Sequence, residues 1–385
     1  MTDVVIAGIG QTEVGEHWGT GLRELAHTAI AEALRDSGGL RPQALFVGNM
    51  LAANLSRQAH LGALLADYAG LTGIEAVSIE AAGASGGAAL RQGYLAVASG
   101  FVEAALVLGV EKFTDKIGPE MDEAVATTTD SDFEAMQGLT PTAQAAMLMK
   151  RYMYEHETPA DAFAGFALTA HANGAGNPCA MFRKAIRPES YARAERVNDP
   201  LNLFDIAPNA DGAAALVLTR AELLPSRWPH PRVSIAGSGA ASDTLAVHDR
   251  KDPLYFETVQ LSAGRAMKQA GLILDQIGFF EYHDAFSIYA ALSLEAVGFA
   301  IKGRGWELAA DGSIGLKGRI PCATMGGMKA RGFPGGAAGV YQAVEAALQL
   351  RGQAGVNQVE GARCGLIQSM GGPGSTAVAH VLKGE

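Results

Sequence analysis

A glycine-rich turn between a strand and a helix constrains the fold of this chain more than any other stretch. Ile74–Ile79 is apolar and β-branched, as expected of a buried strand, and a helical pattern of apolar residues begins at Gly86. The turn between them consists almost wholly of Gly, Ala and Ser. The first N–H groups of a helix have no partner within it, so they favour anions and developing negative charge. The turn is therefore the first candidate for a functional site.

The order of strands and helices occurs twice along the chain. Val4–Ala7 and Arg232–Gly239 are strands that run into paired glycines, and an amphipathic helix follows each of them. Further along, Phe279–Tyr282 repeats the short strand Ala44–Gly48, and Ile320–Gly327 repeats the opening stretch. Because strands alternate with helices, each half should hold a mainly parallel sheet covered by helices. We expect a duplicated α/β fold with five layers, α/β/α/β/α, and a site between the halves.

The chain length of 385 residues suits two fused halves. We assign them to residues 1–225 and 226–385. Residues 112–205 carry clustered acidic side chains and two helical patches, and we interpret them as an insertion of the first half that covers the site.

Composition excludes several classes of protein. The formal net charge of −10 argues against a nucleic-acid surface, and no apolar run is long enough for a membrane span. The first strand begins without a preceding basic region, so we expect no secretory signal. Three cysteines without paired spacing predict neither a disulfide framework nor a metal site, and they favour a cytoplasmic protein.

The paired glycines raise the question of a dinucleotide site. Gly237-Ser238-Gly239 and Gly8-Ile9-Gly10 each follow a strand, but both lack the third glycine of the dinucleotide-binding pattern. We therefore reject that interpretation.

Five boxes occur in the order found in the thiolase superfamily. They are Glu80–Leu90, Asp211–Ala215, His283–Phe286, Gly326–Gly339 and Ser369–Gly374. The chain resembles the sterol-carrier-type and archaeal-type thiolases over essentially its whole length. This resemblance implies a duplicated thiolase fold, a coenzyme A thioester as substrate, no cofactor bound by the chain, and a homodimer formed through the strand near Ile74–Ile79.

Three departures from the family pattern decide the chemistry. A thiolase carries a nucleophilic cysteine at the strand–helix turn, where this chain has Gly83. The histidine of the family's Gly-His-Pro triplet is Phe333 here, and the last glycine-rich loop, which includes Gly371 and Gly372, lacks the second cysteine. Together these losses argue against a covalent acyl-enzyme. Cys322 lies outside these boxes, and we interpret it as a small buried apolar residue.

The remaining polar chemistry centres on His283. At a strand end facing the expected cleft, a neutral imidazole could take a proton from a hydroxyl group or bind a carbonyl oxygen, although a buried structural histidine is the alternative. Asp284 could orient His283 or cap the next helix through Ser287, and we expect the cap. Tyr282 and Tyr341 are further acid–base candidates, but phenols with apolar neighbours are more often core residues.

Two further groups of residues are binding candidates. Backbone donors for a thioester oxygen are expected from the two glycine-rich turns, with Gly83, Ser85, Gly86, Gly371 and Gly372, and Phe333 is a further candidate for contact with substrate. The coenzyme A phosphates have four candidate partners, which could equally be solvated surface charges: Arg183, Lys184, Lys329 and Arg331.

Retro-aldol cleavage needs no nucleophile, only a base for the β-hydroxyl group and donors for the enolate. The chain is similar to cysteine-less thiolase-like aldolases of steroid side chains, which implies a retro-aldolase of a bulky β-hydroxyacyl-coenzyme A. It also implies a small partner protein with an OB fold and a zinc ribbon. The apolar surface expected between residues 40 and 110 would hold a second copy and such a partner. A non-catalytic acyl-coenzyme A-binding subunit, and a thiolase that uses another residue, remain as alternatives.

Overall fold

The computed structural model describes residues 3–385, which form strands and helices in alternation. The strands are β1 (Val4–Gln11), β2 (Ala44–Gly48), β3 (Glu75–Ile79), β4 (Ala104–Glu111), β5 (Arg196–Asn198), β6 (Leu201–Asn202), β7 (Gly212–Arg220), β8 (Val233–Ser242), β9 (Phe279–Glu281), β10 (Cys364–Gly371) and β11 (Thr376–Gly384). The helices are α1 (Leu22–Asp36), α2 (Ala52–Leu55), α3 (Leu61–Tyr68), α4 (Ser85–Ala98), α5 (Pro119–Ala126), α6 (Pro141–Glu155), α7 (Ala164–Gly174), α8 (Pro188–Ala192), α9 (Glu257–Ala270), α10 (Ser287–Val297), α11 (Glu307–Ala310), α12 (Gly327–Arg331) and α13 (Ala338–Leu350).

Nine strands form one continuous mixed sheet in the order β3-β2-β4-β7-β1-β8-β11-β10-β9. The two halves repeat each other, because β3-β2-β4-β7-β1 and Cys322-β9-β10-β11-β8 have the same directions. Val5 and Ser234 join them where β1 meets β8. The counterpart of β3 in the second half is one bridge, between Phe280 and Cys322. Ile320–Gly327 therefore lies where the repeat predicts, but it forms no strand.

Two details of the predicted sheet were wrong. The halves are not mainly parallel, because β7, β1, β8 and β11 all pair antiparallel with their neighbours. β3 is also not a buried strand. It forms the edge of the sheet, and Val77 is 41% exposed in the single chain. An apolar run has the same appearance whether its strand lies within a sheet or at its edge.

The paired glycines of the two halves serve the same packing purpose. A β-carbon on Gly8 would lie 2.1 Å from the Ala33 carbonyl oxygen of α1, and one on Gly237 would lie 2.0 Å from the Ala266 oxygen of α9. The first helix of each half therefore rests directly on its strand, an approach that only glycine permits. Close helix packing explains the glycines without a dinucleotide.

Helices cover and separate the two half-sheets in five layers. α1 packs on the outer face of the first half-sheet and α9 on that of the second, while α4 and α13 lie between the half-sheets and contact both. Each interface is apolar, with Val, Leu, Ile and Ala predominating. The duplicated α/β/α/β/α arrangement expected from the sequence is therefore present.

Residues between β4 and β7 form helices α5–α8 and the short β5–β6 hairpin, and they pack against the second half through α6 and α7. No helix within residues 3–385 is long and apolar enough to cross a membrane.

Candidate active site

A small cavity of about 60 Å³ lies where the turn after β3 meets the ends of β9 and β10; we call it the Gly83 cavity. Its lining comprises Met50, Ala82, Gly83, Val125, Thr128, Pro141, His283, Ala285, Phe286, Tyr289, Phe333, Met370 and Gly372. Four predicted site residues thus come together: Gly83, His283, Phe333 and Gly372. The lining contains no cysteine and no serine.

The turn that carries Gly83 is held in a strained conformation. Ala82 has a φ of +49°, which is unfavourable for a residue with a β-carbon. The Ser85 hydroxyl donates to the Ala82 carbonyl oxygen at 2.6 Å and accepts from the Ala81 N–H at 2.9 Å. Ser85 is fully buried and outside the cavity lining, so its side chain fixes the turn instead of meeting substrate.

The imidazole ring of His283 lies next to Gly83. Its Cε1 lies 3.0 Å from the ideal position of a β-carbon on Gly83, and its ring packs edge-on against Phe333. Nδ1 accepts a hydrogen bond from the Met370 N–H at 3.4 Å, so a neutral ring carries its proton on Nε2. Burial, and secondly the charge of Arg331, lowers the pKa of His283 to about 3. Near pH 7 His283 is therefore a neutral hydrogen-bond donor and a poor base.

Asp284 does not cap helix α10, contrary to the sequence-based expectation. Its Oδ1 accepts the Met328 N–H at 2.7 Å, at the start of α12, while the Ser287 hydroxyl is buried without a partner. The side chain makes no hydrogen bond to His283 among the described residues, and it lies outside the cavity lining. Burial raises the pKa of Asp284. Asp284 anchors the Gly326–Arg331 segment.

The two tyrosines proposed as acid–base groups lie elsewhere. Tyr282 packs between Phe166 and Phe280 in the core of the second half. Tyr341 is also fully buried, and its hydroxyl donates to the Thr12 carbonyl oxygen at 3.1 Å. Neither lines the Gly83 cavity, so their assignment as catalytic residues is corrected.

Tyr289 was missed by the sequence reasoning. It lies on the first turn of α10, lines the Gly83 cavity and packs edge-on against Phe256 and Phe286. Its hydroxyl has no hydrogen-bond partner within the described part of the chain. Burial raises the pKa of Tyr289, and the charge of Arg250 partly opposes this rise. The signal that could have found Tyr289 was its spacing from the His283–Phe286 box. Residues three apart share a face of a helix, so Tyr289 is expected on the same side as Phe286.

A second, larger cavity of about 570 Å³ adjoins the first. We call it the Lys329 cavity; it is lined by Thr142, His171, Phe182, Lys184, Ile186, Val197, Leu203, Phe204, Ile206, Ala207, Pro208 and Lys329. The Ala207 N–H donates to the Ala285 carbonyl oxygen at 2.8 Å, so backbone segments that line the two cavities are in direct contact. Burial lowers the pKa of Lys329 to about 8, and its Nζ donates to the Asp205 carbonyl oxygen at 2.6 Å.

The four predicted phosphate-binding cations have different surroundings. Lys184 and Lys329 line the Lys329 cavity. Arg183 is exposed and pairs with Glu13 at 3.1 Å. Arg331 is buried between the halves, where it pairs with Glu345 at 2.7 Å, so its assignment to a phosphate was wrong.

The glycines predicted to supply backbone donors also differ in their surroundings. A β-carbon on Gly86 would lie 2.7 Å from the Gly336 carbonyl oxygen, and one on Gly371 would lie 2.6 Å from that of Ala81. Both glycines therefore permit close packing, whereas Gly372, with φ of +52°, lines the cavity. Cys322 is buried in the core of the second half. No group of three His, Cys, Asp or Glu side chains in residues 3–385 is arranged to hold a metal ion.

Comparisons with known proteins agree with this architecture. Residues 4–222 match the thiolase N-terminal domain and residues 239–384 match the thiolase C-terminal domain-like family. An acetyl-CoA acetyltransferase from Methanothermobacter thermautotrophicus is 41% identical, with 99% of this chain and all of the relative covered. A steroid side-chain-cleaving aldolase from Thermomonospora curvata is 29% identical over 88% of each chain.

Solved structures of other proteins share the fold of this chain. The structure described as Ltp2-ChsH2(DUF35) aldolase has a TM-score of 0.84 and 25% identity, covering 99% of this chain and 98% of the other. Human mitochondrial 3-ketoacyl-CoA thiolase, at 17% identity and a TM-score of 0.75, shares the fold over 100% of this chain and 99% of its own. The chain belongs to the thiolase superfamily.

Proposed function

We propose that this protein cleaves a carbon–carbon bond of a bulky β-hydroxyacyl-coenzyme A by a retro-aldol reaction. One observation carries the proposal: the thiolase-like cavity keeps a neutral histidine donor but has glycine at the turn and no cysteine or serine in its lining. A thiolase reaction requires an acyl-enzyme, whereas a retro-aldol reaction requires only acid–base and oxyanion groups.

His283 would bind the thioester carbonyl oxygen. Its Nε2–H is fixed by the Met370 contact at Nδ1, and the low pKa keeps the ring neutral. As the Cα–Cβ bond breaks, its electron pair moves into the thioester and leaves an enolate oxygen beside this donor. A donor held in place before the reaction stabilises the transition state more than a mobile one does.

We assign Tyr289 as the base that removes the proton of the β-hydroxyl group. The other hydroxyl in the cavity lining, on Thr128, donates to the Val125 carbonyl oxygen at 2.7 Å. The Tyr289 phenolate would accept the proton while the new carbonyl group forms, and the Tyr289 hydroxyl would then return this proton to the enolate carbon. Because burial raises its pKa, the phenolate is scarce near pH 7.

The Lys329 cavity is where we place the coenzyme A moiety. Its mostly apolar walls fit an extended chain, and Lys184 and Lys329 supply positive charge for phosphate. Ala285 and Phe286 of the first cavity pair with the Ala207 and Ile206 backbone of the second, so the two cavities lie on either side of paired backbone segments.

We further propose a homodimer that works with an OB-fold, zinc-ribbon partner in the cytoplasm. β3 is an exposed edge strand, which a second copy can extend. The aldolase neighbour is described as a complex of two named proteins, and all three cysteines of this chain are free. Native mass measurement tests the assembly: a monomer, or a homodimer fully active without another protein, would contradict it.

The reaction is tested by product analysis. The purified protein, with and without the partner, is incubated with a β-hydroxyacyl-coenzyme A that has a bulky acyl group. Release of a carbonyl compound and a shorter acyl-coenzyme A is expected. Turnover of β-ketoacyl substrates with free coenzyme A, and of nothing else, would overturn the proposal and favour an acetyltransferase like the 41% identical relative.

The alternative is a non-catalytic subunit that binds acyl-coenzyme A. The observation in its favour is the size of the Gly83 cavity, about 60 Å³ against about 570 Å³ for its neighbour. Binding of acyl-coenzyme A without turnover of any thioester, in the presence of the partner, would establish this alternative.

A further inference from the structure

A third cavity, of about 430 Å³, lies between the insertion and the loop that follows β8. We call it the Gln144 cavity. Leu139, Leu148 and Pro253 give it apolar walls, and the residues of neither cavity described above contribute to it. It is therefore a separate space of ligand size.

The side chain of Gln144 on α6 lines this cavity and has no partner. It is 1% exposed, and both its Nε2 and its Oε1 are buried without a hydrogen bond. An amide that loses water on folding and gains no partner destabilises the protein, so natural proteins rarely retain one without a compensating ligand or water. Gln144 offers one donor group and one acceptor to an occupant of the cavity.

Three cationic side chains line the Gln144 cavity: Arg151, Arg250 and Lys251. Arg250 is 7% exposed, and its guanidinium donates only to the backbone carbonyls of Thr244, Leu245 and Pro373. It forms no ion pair with a carboxylate of the described chain. Lys251 and Arg151 add two exposed cations at the rim, of which Arg151 pairs with Glu155 at 2.7 Å.

One carboxylate, Glu134, also lines the cavity. Its Oε1 accepts the Val247 N–H at 2.9 Å and its Oε2 accepts the Asp130 N–H at 3.0 Å. Both oxygens are therefore held by the backbone, outside ion-pair distance of Arg250. Asp249 lies beside the rim histidine, His248, and its side chain is mostly exposed. With Arg151 paired to Glu155, the lining keeps two cations without a carboxylate partner in the described chain, Arg250 and Lys251, in a protein with a net charge of −10.

We propose that the Gln144 cavity binds a small organic carboxylate: an anionic group facing Gln144 and the cations, and an apolar body against Leu139, Leu148 and Pro253. Arg250 connects this site to the Gly83 cavity, because it holds the Pro373 carbonyl next to Gly372. The proposal does not depend on the proposed function, since binding is measured without turnover.

The test uses 3-phenylpropionate as probe, its neutral amide as the matched control ligand, and inorganic phosphate as an anion without an apolar body. Binding to the full-length protein is measured by calorimetry and by ligand-observed NMR. The acid is expected to bind, and the amide and phosphate at least about tenfold more weakly. No binding of the acid, or equal binding of the acid and either control, would overturn the proposal.

Two variants locate the site. Gln144→Leu exchanges an unpartnered amide for an apolar group of similar size, so it should fold at least as stably and bind the acid about tenfold more weakly. Lys251→Gln should weaken binding severalfold, whereas Lys268→Gln, which changes another exposed lysine, on α9, should not. Unchanged affinity in Gln144→Leu would show that the acid binds elsewhere and would overturn the assignment.

Discussion

The carbonyl oxygen of Met370 lies 2.6 Å from the point that a β-carbon on Gly83 would occupy. Non-bonded heavy atoms do not approach so closely, so a side chain at this position requires the end of β10 to move. His283 Cε1 and Phe333 Cζ lie 3.0 and 3.5 Å from the same point. Glycine at this position of the turn is therefore a packing requirement.

Gly83→Cys should not create a thiolase. The new side chain would contact the Met370 oxygen, costing about 1–3 kcal/mol of the free energy of unfolding, and Phe333 offers it no base. Chemical denaturation and thiolysis of a β-ketoacyl-coenzyme A are the measurements. Gly83→Ala is the matched control, since it adds the same β-carbon without sulfur. Appreciable thiolysis by the single cysteine variant would contradict this account.

His283→Ala should lower kcat for the proposed cleavage by about 10²–10³, the usual effect of losing one oxyanion donor, and change substrate affinity only severalfold. The reason is that, in the proposed reaction, the Nε2–H that the Met370 contact at Nδ1 leaves as the ring's donor would meet charge that develops only in the transition state. Circular dichroism checks the fold of the variant. A variant that folds and keeps the full rate would exclude a catalytic role, and one that fails to fold would make His283 a structural residue.

Tyr289→Phe should lower kcat by about 10²–10⁴ if the phenolate accepts the β-hydroxyl proton. Burial raises the Tyr289 pKa above its ordinary value, so the base form is a small fraction near pH 7. The wild-type rate should then rise about tenfold per pH unit from pH ~6 to ~9, without a plateau.

Tyr282→Phe is the matched control, because Tyr282 packs in the core outside the cavity lining. It should retain both the rate and the pH profile. A rate that is independent of pH in the wild type, or equal losses in the two variants, would remove Tyr289 from the mechanism.

The order of strands, the duplication and the glycine-rich turn were predictable because they depend on local periodicity. The sequence also contained enough information to decide which of two neighbouring side chains, Tyr282 or His283, faces the cavity. Tyr282 and His283 follow one another at the end of β9, and successive side chains of an extended segment point to opposite sides. Only one of them can face the cavity, and it is His283.

Other features leave no local signal in a single sequence. Arg331 pairs with Glu345 in the core and lies over the Tyr341 ring, contacts that form only when α12 and α13 pack together. The exposure of β3 likewise depends on which strand ends the sheet, and the Met370 oxygen approaches Gly83 from a strand nearly 290 residues away along the chain.

His380 should make the stability of the protein depend on pH in the acidic range. The residue lies in β11, is 1% exposed, and its Nε2 contacts the Gly87 carbonyl oxygen at 3.1 Å. Burial, opposed by that hydrogen bond, lowers its pKa to about 4 in the folded state from an ordinary value of 6.5. Below pH 6.5 the unfolded chain therefore binds a proton that the folded chain does not.

The free energy of unfolding should fall by up to about 1.4 kcal/mol per pH unit for this one group between pH 6.5 and about 4. Buried Glu111 and Glu281 act with the opposite sign, because burial raises their pKa values to about 7 and about 8 and protonation on acidification favours the folded state. A comparison of wild type with His380→Gln cancels those contributions, and glutamine can still donate to Gly87. Urea denaturation at several pH values should show the difference in stability between the two proteins changing steadily below pH 6.5 and levelling near pH 4. A difference that stays constant with pH would show that folding does not lower the pKa of His380.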